Sequence, residues 1–391
     1  MKRSLPAFTA IRTVMNTAHR MVYPFLAVFA RGLGVDLSAM SLALTARSLV
    51  GTLGAFSASA ADSRGRRFGM LFGVGLFTLG AALVVFWPTF GGLAVSLCLA
   101  TLGKYIFDPA MQAYLSDRIP YERRGLAIAL TEFGWSLAFV LGVPLMGFLV
   151  ARAGWLAPFP LLALLGLLIF LGLALTLPRD GQPGAERPSL AANFRAVLTN
   201  LPALAGLAVG LFASAANEVV NLIFCVWLED SFGLKIAALG AASAVIGLSE
   251  LGGEGLVAAF VDRLGKPRAV ALGLAANSLA ALSLPLLGQT TAGALAGLFL
   301  FYITFEFTLV SCIPLMTELL PGARATLMSF NVAALSLGRA LGAPLASRLY
   351  GWGFFAVAAG AVAFNLIALL ALRQARKGVP REGAGRPPRP G

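Results

Sequence analysis

Nine ionisable side chains lie inside long apolar stretches of this sequence: Arg20, Arg47, Lys104, Asp108, Glu132, Glu218, Glu250, Glu306 and Arg339. Four are basic and five acidic, so mutual pairing is feasible. A charge near the centre of a bilayer costs about 2.5–3.5 kcal/mol on insertion scales, so groups kept there pair, relay protons or hold a charged ligand. Lys104 and Asp108 are four residues apart, the spacing at which side chains meet on one helix face. Glu218 stands between Asn217 and Asn221 in "AANEVVN", and Arg20 follows the single histidine, His19. A buried carboxylate that exchanges a cation for a proton couples proton flow to the movement of another solute. Glu218, Glu306 and Glu132 have the setting for it, and a permanent ion pair is the alternative for each. Covalent chemistry finds no support. Cys98, Cys225 and Cys312 lack metal-ligand spacing and read as inert buried thiols. No G-x-x-x-x-G-K-[ST] phosphate loop is present. The expectation is no metal, no cofactor and no enzyme.

These charges require elements that cross a membrane. The chain is 58% hydrophobic and 12% charged over 391 residues, and spans of about 20 apolar residues recur along it. Twelve are predicted: 8–29, 38–60, 69–87, 92–115, 125–150, 155–177, 201–228, 237–260, 269–288, 292–317, 326–349 and 352–372. They are predicted as helices, since each helix satisfies its own backbone in lipid. The first is a retained span rather than a cleaved leader, because Arg12 breaks its apolar run. The net charge of +13 sits mostly in loops. The N-terminus, alternate loops, the central linker and the tail hold 21 of 30 Lys and Arg, against four in the opposite loops. The positive-inside rule therefore places both termini in the cytoplasm, and the basic balance needs no nucleic-acid partner. Spans 1, 2, 4, 5, 7, 8, 10 and 11 each hold an interior charge, while 3, 6, 9 and 12 hold none. The blank helices can face lipid.

The chain also repeats itself. "ADSRGRRFGM" at 61–70 is echoed by "VDRLGKPRAV" at 261–270, with Asp62 and Gly65 each 200 residues from Asp262 and Gly265. Gly142 and Pro144 in "LGVPLMG" match Gly342 and Pro344, and Asp117 in "SDRIPYERRG" matches Glu318 in "TELLPGARAT". Six spans, a polar linker at 178–200 and six similar spans form a parallel repeat, a transporter architecture. The domains expected are a bundle at 1–177, the linker with a short interfacial helix, a bundle at 201–375 and a disordered tail at 376–391.

In these motifs the sequence resembles the major facilitator superfamily. The loop signature G-x-x-x-D-x-x-G-R-R/K reads Ala58, Asp62, Gly65, Arg66, Arg67 here. The resemblance implies an all-α membrane protein of twelve helices in two pseudo-symmetric six-helix bundles, working by alternating access. It implies a cytoplasmic charge latch between the halves, with Asp62, Arg66 and Asp117 facing Asp262, Lys266 and Glu318. It places spans 1 and 7 at a central cavity, so Arg20 and Glu218 are cavity residues, with Glu306, Arg339, Asp108, Lys104, Glu132, Asn217 and Asn221 as further candidates. Aromatics of the inner helices, Tyr23, Phe25, Tyr105, Phe107, Trp135, Phe224, Trp227, Tyr302 and Phe305, are candidate contacts for an amphipathic substrate. Gly142, Pro144 and Gly147 partly match a span 5 packing motif of the family's proton antiporters, with Val143 and Phe148 in place of two glycines. The functional expectation is proton-coupled export of a small amphipathic compound by a monomer in the inner membrane. Uptake or facilitated diffusion of a metabolite is the alternative, and a membrane sensor or lipid-processing protein the rival of another class.

Overall fold

In a computed structural model, residues 4–62, 65–119, 130–178 and 190–378 are described, with side chains apart from those at 54–62 and a few isolated positions. Every regular element among them is helical. In chain order these are α1 (Ser4–Arg20), α2 (Leu26–Leu33), α3 (Leu37–Asp62), α4 (Arg66–Phe86) and α5 (Phe90–Arg118). Next come α6 (Leu130–Ala153) and α7 (Pro158–Thr176). After the linker helix α8 (Leu190–Thr199) follow α9 (Leu201–Asn221), α10 (Phe224–Phe232), α11 (Ile236–Leu264) and α12 (Lys266–Leu287). The chain closes with α13 (Thr291–Leu319), α14 (Arg324–Tyr350) and α15 (Phe354–Ala375). The start of the fifth expected span, linker residues 179–189 and the end of the tail lie outside the described residues.

Among the described helices, nine are long and apolar enough to cross a membrane, or ten if α2 and the first part of α3, which meet at 112°, are one span. Twelve stretches were expected from the sequence. The difference falls on the first two and the eleventh. Helix α1 carries Arg12, His19 and Arg20, and α14 carries Asn331, Ser336 and Arg339.

The repeat is visible in the turns. Among the described residues, glycines with positive φ come in three pairs: Gly34 and Gly233, Gly65 and Gly265, Gly154 and Gly353. The first pair ends α2 and α10, the second opens α4 and α12, and the third ends α6 and opens α15. At Gly65, φ is 108° and ψ is 159°, a region that side chains with a Cβ avoid. The tight charged turn therefore needs glycine there. The hydroxyl of Thr89 accepts the Gly92 amide at 3.2 Å, and that of Thr290 accepts the Gly293 amide at 3.1 Å. These N-caps start α5 and α13 in the same way. Both inner helices also break at matching places, residues 21–25 between α1 and α2 and residues 222–223 between α9 and α10. Interrupted helices at corresponding points of two repeats mark the place where such folds build a site.

Among the described helices, the halves pack mainly through α3 with α14 and α6 with α11, and α2 also meets α10. Helix α6 widens into a π turn at Ala138–Gly142, where the Val143 amide reaches Ala138 O. Pro144 follows it, and its missing N–H removes a normal helical donor at that point. Glycines let α6 approach its neighbours: a Cβ on Gly147 would lie 2.9 Å from the Phe25 ring and 3.3 Å from Gly240 Cα. A Cβ on Gly247 would lie 2.9 Å from Ser136 O. The face where α1 begins and α15 ends is called the terminal face below, and the opposite one the far face.

Candidate functional site

A cavity of about 40 Å³ lies between the halves, lined from α1 and residue 23 just beyond it, α6, α9, α11, α13 and α14. It has room for about three water molecules. The electrically blank helices α4, α7, α12 and α15 contribute nothing to its wall.

Arg20 crosses the cavity to Glu250 on α11. Both guanidinium nitrogens bond the carboxylate, with Nη1 to Oε2 at 2.7 Å, and Nη1 also donates to Trp135 O at 3.0 Å. The guanidinium lies over the rings of Trp135 (4.1 Å) and Phe139 (3.6 Å). Phe139 belongs to the π turn. Both charged residues are buried. A bidentate pair enclosed by aromatic faces is strong in geometry and expensive to break, because either partner alone is a buried unpaired charge.

Glu218, expected from the sequence as a cavity residue, is not in its wall; it is fully buried and accepts from Tyr23 Oη at 3.0 and 3.2 Å. The same hydroxyl accepts from Arg47 Nη2 at 2.6 Å, while Arg47 Nη1 donates to His19 O at 2.9 Å. Tyr23 thus bridges a cation of the first half to a carboxylate of the second. Asn221 Oδ1 accepts from Tyr302 Oη at 2.8 Å. Asn217 also lines the cavity, and its Oδ1 is buried without a hydrogen-bond partner. Arg339 reaches Tyr105 Oη at 3.4 Å, and that hydroxyl lies 3.0 Å from Ser336 Oγ. Glu306 lines the cavity and is 5% exposed.

Lys104, Asp108 and Glu132 are placed elsewhere. They form a network within the first half, beside the cavity rather than in its wall. Asp108 pairs with Lys104 and with Arg12 Nε at 3.1 Å, and Arg12 Nη1 reaches Glu132 Oε1 at 2.6 Å. Gln112 donates to Glu132 at 3.1 Å. The charge pairs of the terminal face also stay within halves: Arg66 with Asp117 at 3.3 Å, and Lys266 with Glu318. Asp262 is exposed, and the side chain of Asp62 lies outside the described residues. Among the described residues, no ion pair on that face joins the two halves as a latch would. On the far face one does, Arg31 with Glu229 at 2.8 Å.

The family model of the Major Facilitator Superfamily matches residues 9–320 and 207–390. The chain belongs to this superfamily. It is a multi-pass membrane transporter, not an enzyme. The relatives extend over its length. YceJ of Bacillus subtilis (strain 168), described as an uncharacterized MFS-type transporter, is 25% identical over 347 residues and 88% of each chain. The inner membrane transport protein YdhP of Escherichia coli (strain K12) is 26% identical over 364 residues and 90% of each chain. Among solved structures, a bacterial homologue of the human lysosomal transporter spinster gives a TM-score of 0.76 at 16% identity, covering 96% of this chain and 97% of its own. A D-xylose–proton symporter gives 0.75 at 17%, covering 97% and 98%. At these identities the structures attest the superfamily fold alone.

Sequence reasoning missed three contributors. Arg12 reads as a break in an apolar run, yet it is 4% exposed and holds two carboxylates. Glu250 and Arg47 were visible as interior charges, but nothing local indicated that they meet Arg20 and Tyr23. Of the aromatics singled out, Tyr23, Trp135, Tyr302 and Phe305 line the cavity. Phe25 packs instead at the Gly147–Gly240 contact, and Trp227 stacks on Phe354 at 4.0 Å.

Proposed function

We propose that this transporter carries a small amphipathic compound by proton-coupled alternating access around the Arg20–Glu250 cavity. The observation that supports it is the buried bidentate pair joining α1 to α11 across the two halves. For a solute to reach the cavity from the far face, α6 must part from α11, and this pair must break or swing. A proton arriving on Glu250 releases Arg20 and lowers the barrier to that motion. Glu218 is a second acceptor, since it is held by a hydroxyl rather than by a direct ion pair. In this reading the chain has twelve spans, α1–α2 and α9–α10 each forming one broken span. It works as a monomer in the inner membrane with the terminal face in the cytoplasm. The bundles are 1–177 and 201–375, with a linker at 178–200 and a tail at 376–391. Export is the direction implied by the span 5 motif of Gly142, Pro144 and Gly147.

The test begins with a thermal-shift screen of the purified chain against drugs, sugars, amino acids, organic anions and lipids. A ligand at 100 times its dissociation constant stabilises by about 2.7 kcal/mol. Each hit is then loaded into liposomes carrying the protein and a pH-sensitive dye. The expected result is flux of the hit accompanied by a lumenal pH change, with both lost in Glu250→Gln. Flux without a pH change overturns proton coupling, and hits that bind but never cross overturn this cavity as the transport site.

A further inference from the structure

The interior charges nearly all neutralise one another. With Arg12 included, five cations (Arg12, Arg20, Arg47, Lys104, Arg339) stand among six carboxylates (Asp108, Glu132, Glu218, Glu250, Glu306 and the half-buried Glu254). Arg12 and Lys104 hold Asp108 and Glu132. Arg20 holds Glu250, and Arg47 reaches Glu218 through Tyr23. Of the groups that remain, two of opposite sign line the same cavity: Glu306 on α13 and Arg339 on α14. Among the described residues, Glu306 has no hydrogen-bond or ion-pair partner, although it is 5% exposed. Arg339 touches only a tyrosine hydroxyl at 3.4 Å.

We infer that the cavity takes a zwitterion, with its ammonium group on Glu306 and Asn217 and its carboxylate on Arg339. The inference rests on the transport reading only for which site is meant. A buried ion left unpaired is strongly unfavourable, so the ligand best matched to the site cancels both charges at once. A monocation leaves Arg339 unanswered, and a monoanion leaves Glu306 unanswered. The partnerless Oδ1 of Asn217 is an acceptor at the same cavity and fits an ammonium donor, as Glu306 does. Glu250 and Glu254 on α11 act on Glu306 as further negative charge, against Arg20 and Arg339 as positive charge. Phe305 and Leu309, also in the wall, offer apolar surface for the ligand body. Glu306, Arg339 and Asn217 all belong to the second half. A zwitterion held by them stays with that half while Arg20 and the first half move. A cavity of about 40 Å³ is too small for such a ligand until the halves part.

The experiment uses the full chain in detergent and a series of probes matched in all but charge. Free amino acids from alanine to tryptophan and their dipeptides carry both charges. Their methyl esters keep only the ammonium, their N-acetyl forms only the carboxylate, and their N-acetyl amides neither. Binding is read by thermal shift and titration calorimetry on wild type, Glu306→Gln and Arg339→Gln. At least one zwitterion is expected to bind about tenfold or more tighter than both of its single-charge analogues. Glu306→Gln should erase the advantage over the N-acetyl form, and Arg339→Gln the advantage over the ester. The two opposite changes in preference serve as internal controls, since a merely unfolded variant would lose all binding together. The proposal is overturned if no zwitterion binds, if a single-charge analogue binds as well as its parent, or if the preference survives both variants. A zwitterion that binds but is not carried in liposomes sinks the transport reading and leaves this one standing. Flux of a singly charged compound without zwitterion binding does the reverse.

Discussion

At the scale of single residues, the site is governed by what an unpaired charge costs in a dry interior. Arg20 and Glu250 are both buried, so removing one strands the other. Glu250→Gln is expected to destabilise the protein by about 3 kcal/mol, whereas Arg20→Met with Glu250→Met should recover much of that loss. Thermal unfolding of the two variants in one detergent is the measurement. A Glu250→Gln protein as stable as wild type would mean that the carbonyl of Trp135 and the rings of Trp135 and Phe139 suffice to hold the guanidinium. The hydroxyl of Tyr23 has a comparable position, bonded to Glu218 on one side and Arg47 on the other.

At the scale of elements, glycine and proline decide how helices turn and how closely they approach. The turn from α3 into α4 passes through Gly65 at φ 108°. Gly65→Ala should cost about 1–3 kcal/mol or force the turn into another shape. The check is the melting temperature together with expression in the membrane. An alanine variant that melts with wild type would show that the turn adapts without strain. The π turn of α6 is the second local device. It carries Phe139 against Arg20, and it ends where Pro144 enters the helix. The matching Pro344 lies inside the regular helix α14 without such a turn. The repeat is therefore closest in its loops and diverges where the cavity is built.

At the scale of the whole molecule, the described polar contacts between halves run from the far rim to mid-membrane. Arg31 and Glu229 close the rim at 2.8 Å, and Thr52 donates to Ala333 O at 3.5 Å near the middle. Glu132, by contrast, is 41% exposed at its side chain, and Glu254 is half-buried. This arrangement fits a cavity sealed from the far face. Alternating access requires the rim to part in each cycle. A bifunctional thiol reagent bridging Arg31→Cys and Glu229→Cys should therefore stop flux in liposomes, and cleaving the bridge should restore it. Undiminished flux across the bridged rim would mean that the halves turn about that point rather than separate there.

The membrane class, the twofold repeat near 200 residues and the division between charged and blank helices were all legible along the chain. Apolar length, charge placement and turn chemistry are local properties, and a repeat copies them at fixed spacing. The same reading identified Arg20, Glu218, Glu306 and Arg339 as interior charges. It left open which of them meet. Pairing depends on how each helix is rotated and where it crosses its neighbours. Those are set by contacts such as Gly147 on Gly240 and Gly247 on Ser136, between residues about a hundred apart. Only the packed helices bring Arg20 to Glu250, draw Arg12 inward to Asp108 and Glu132, and leave Glu306 and Arg339 outside the ion pairs formed among the described residues.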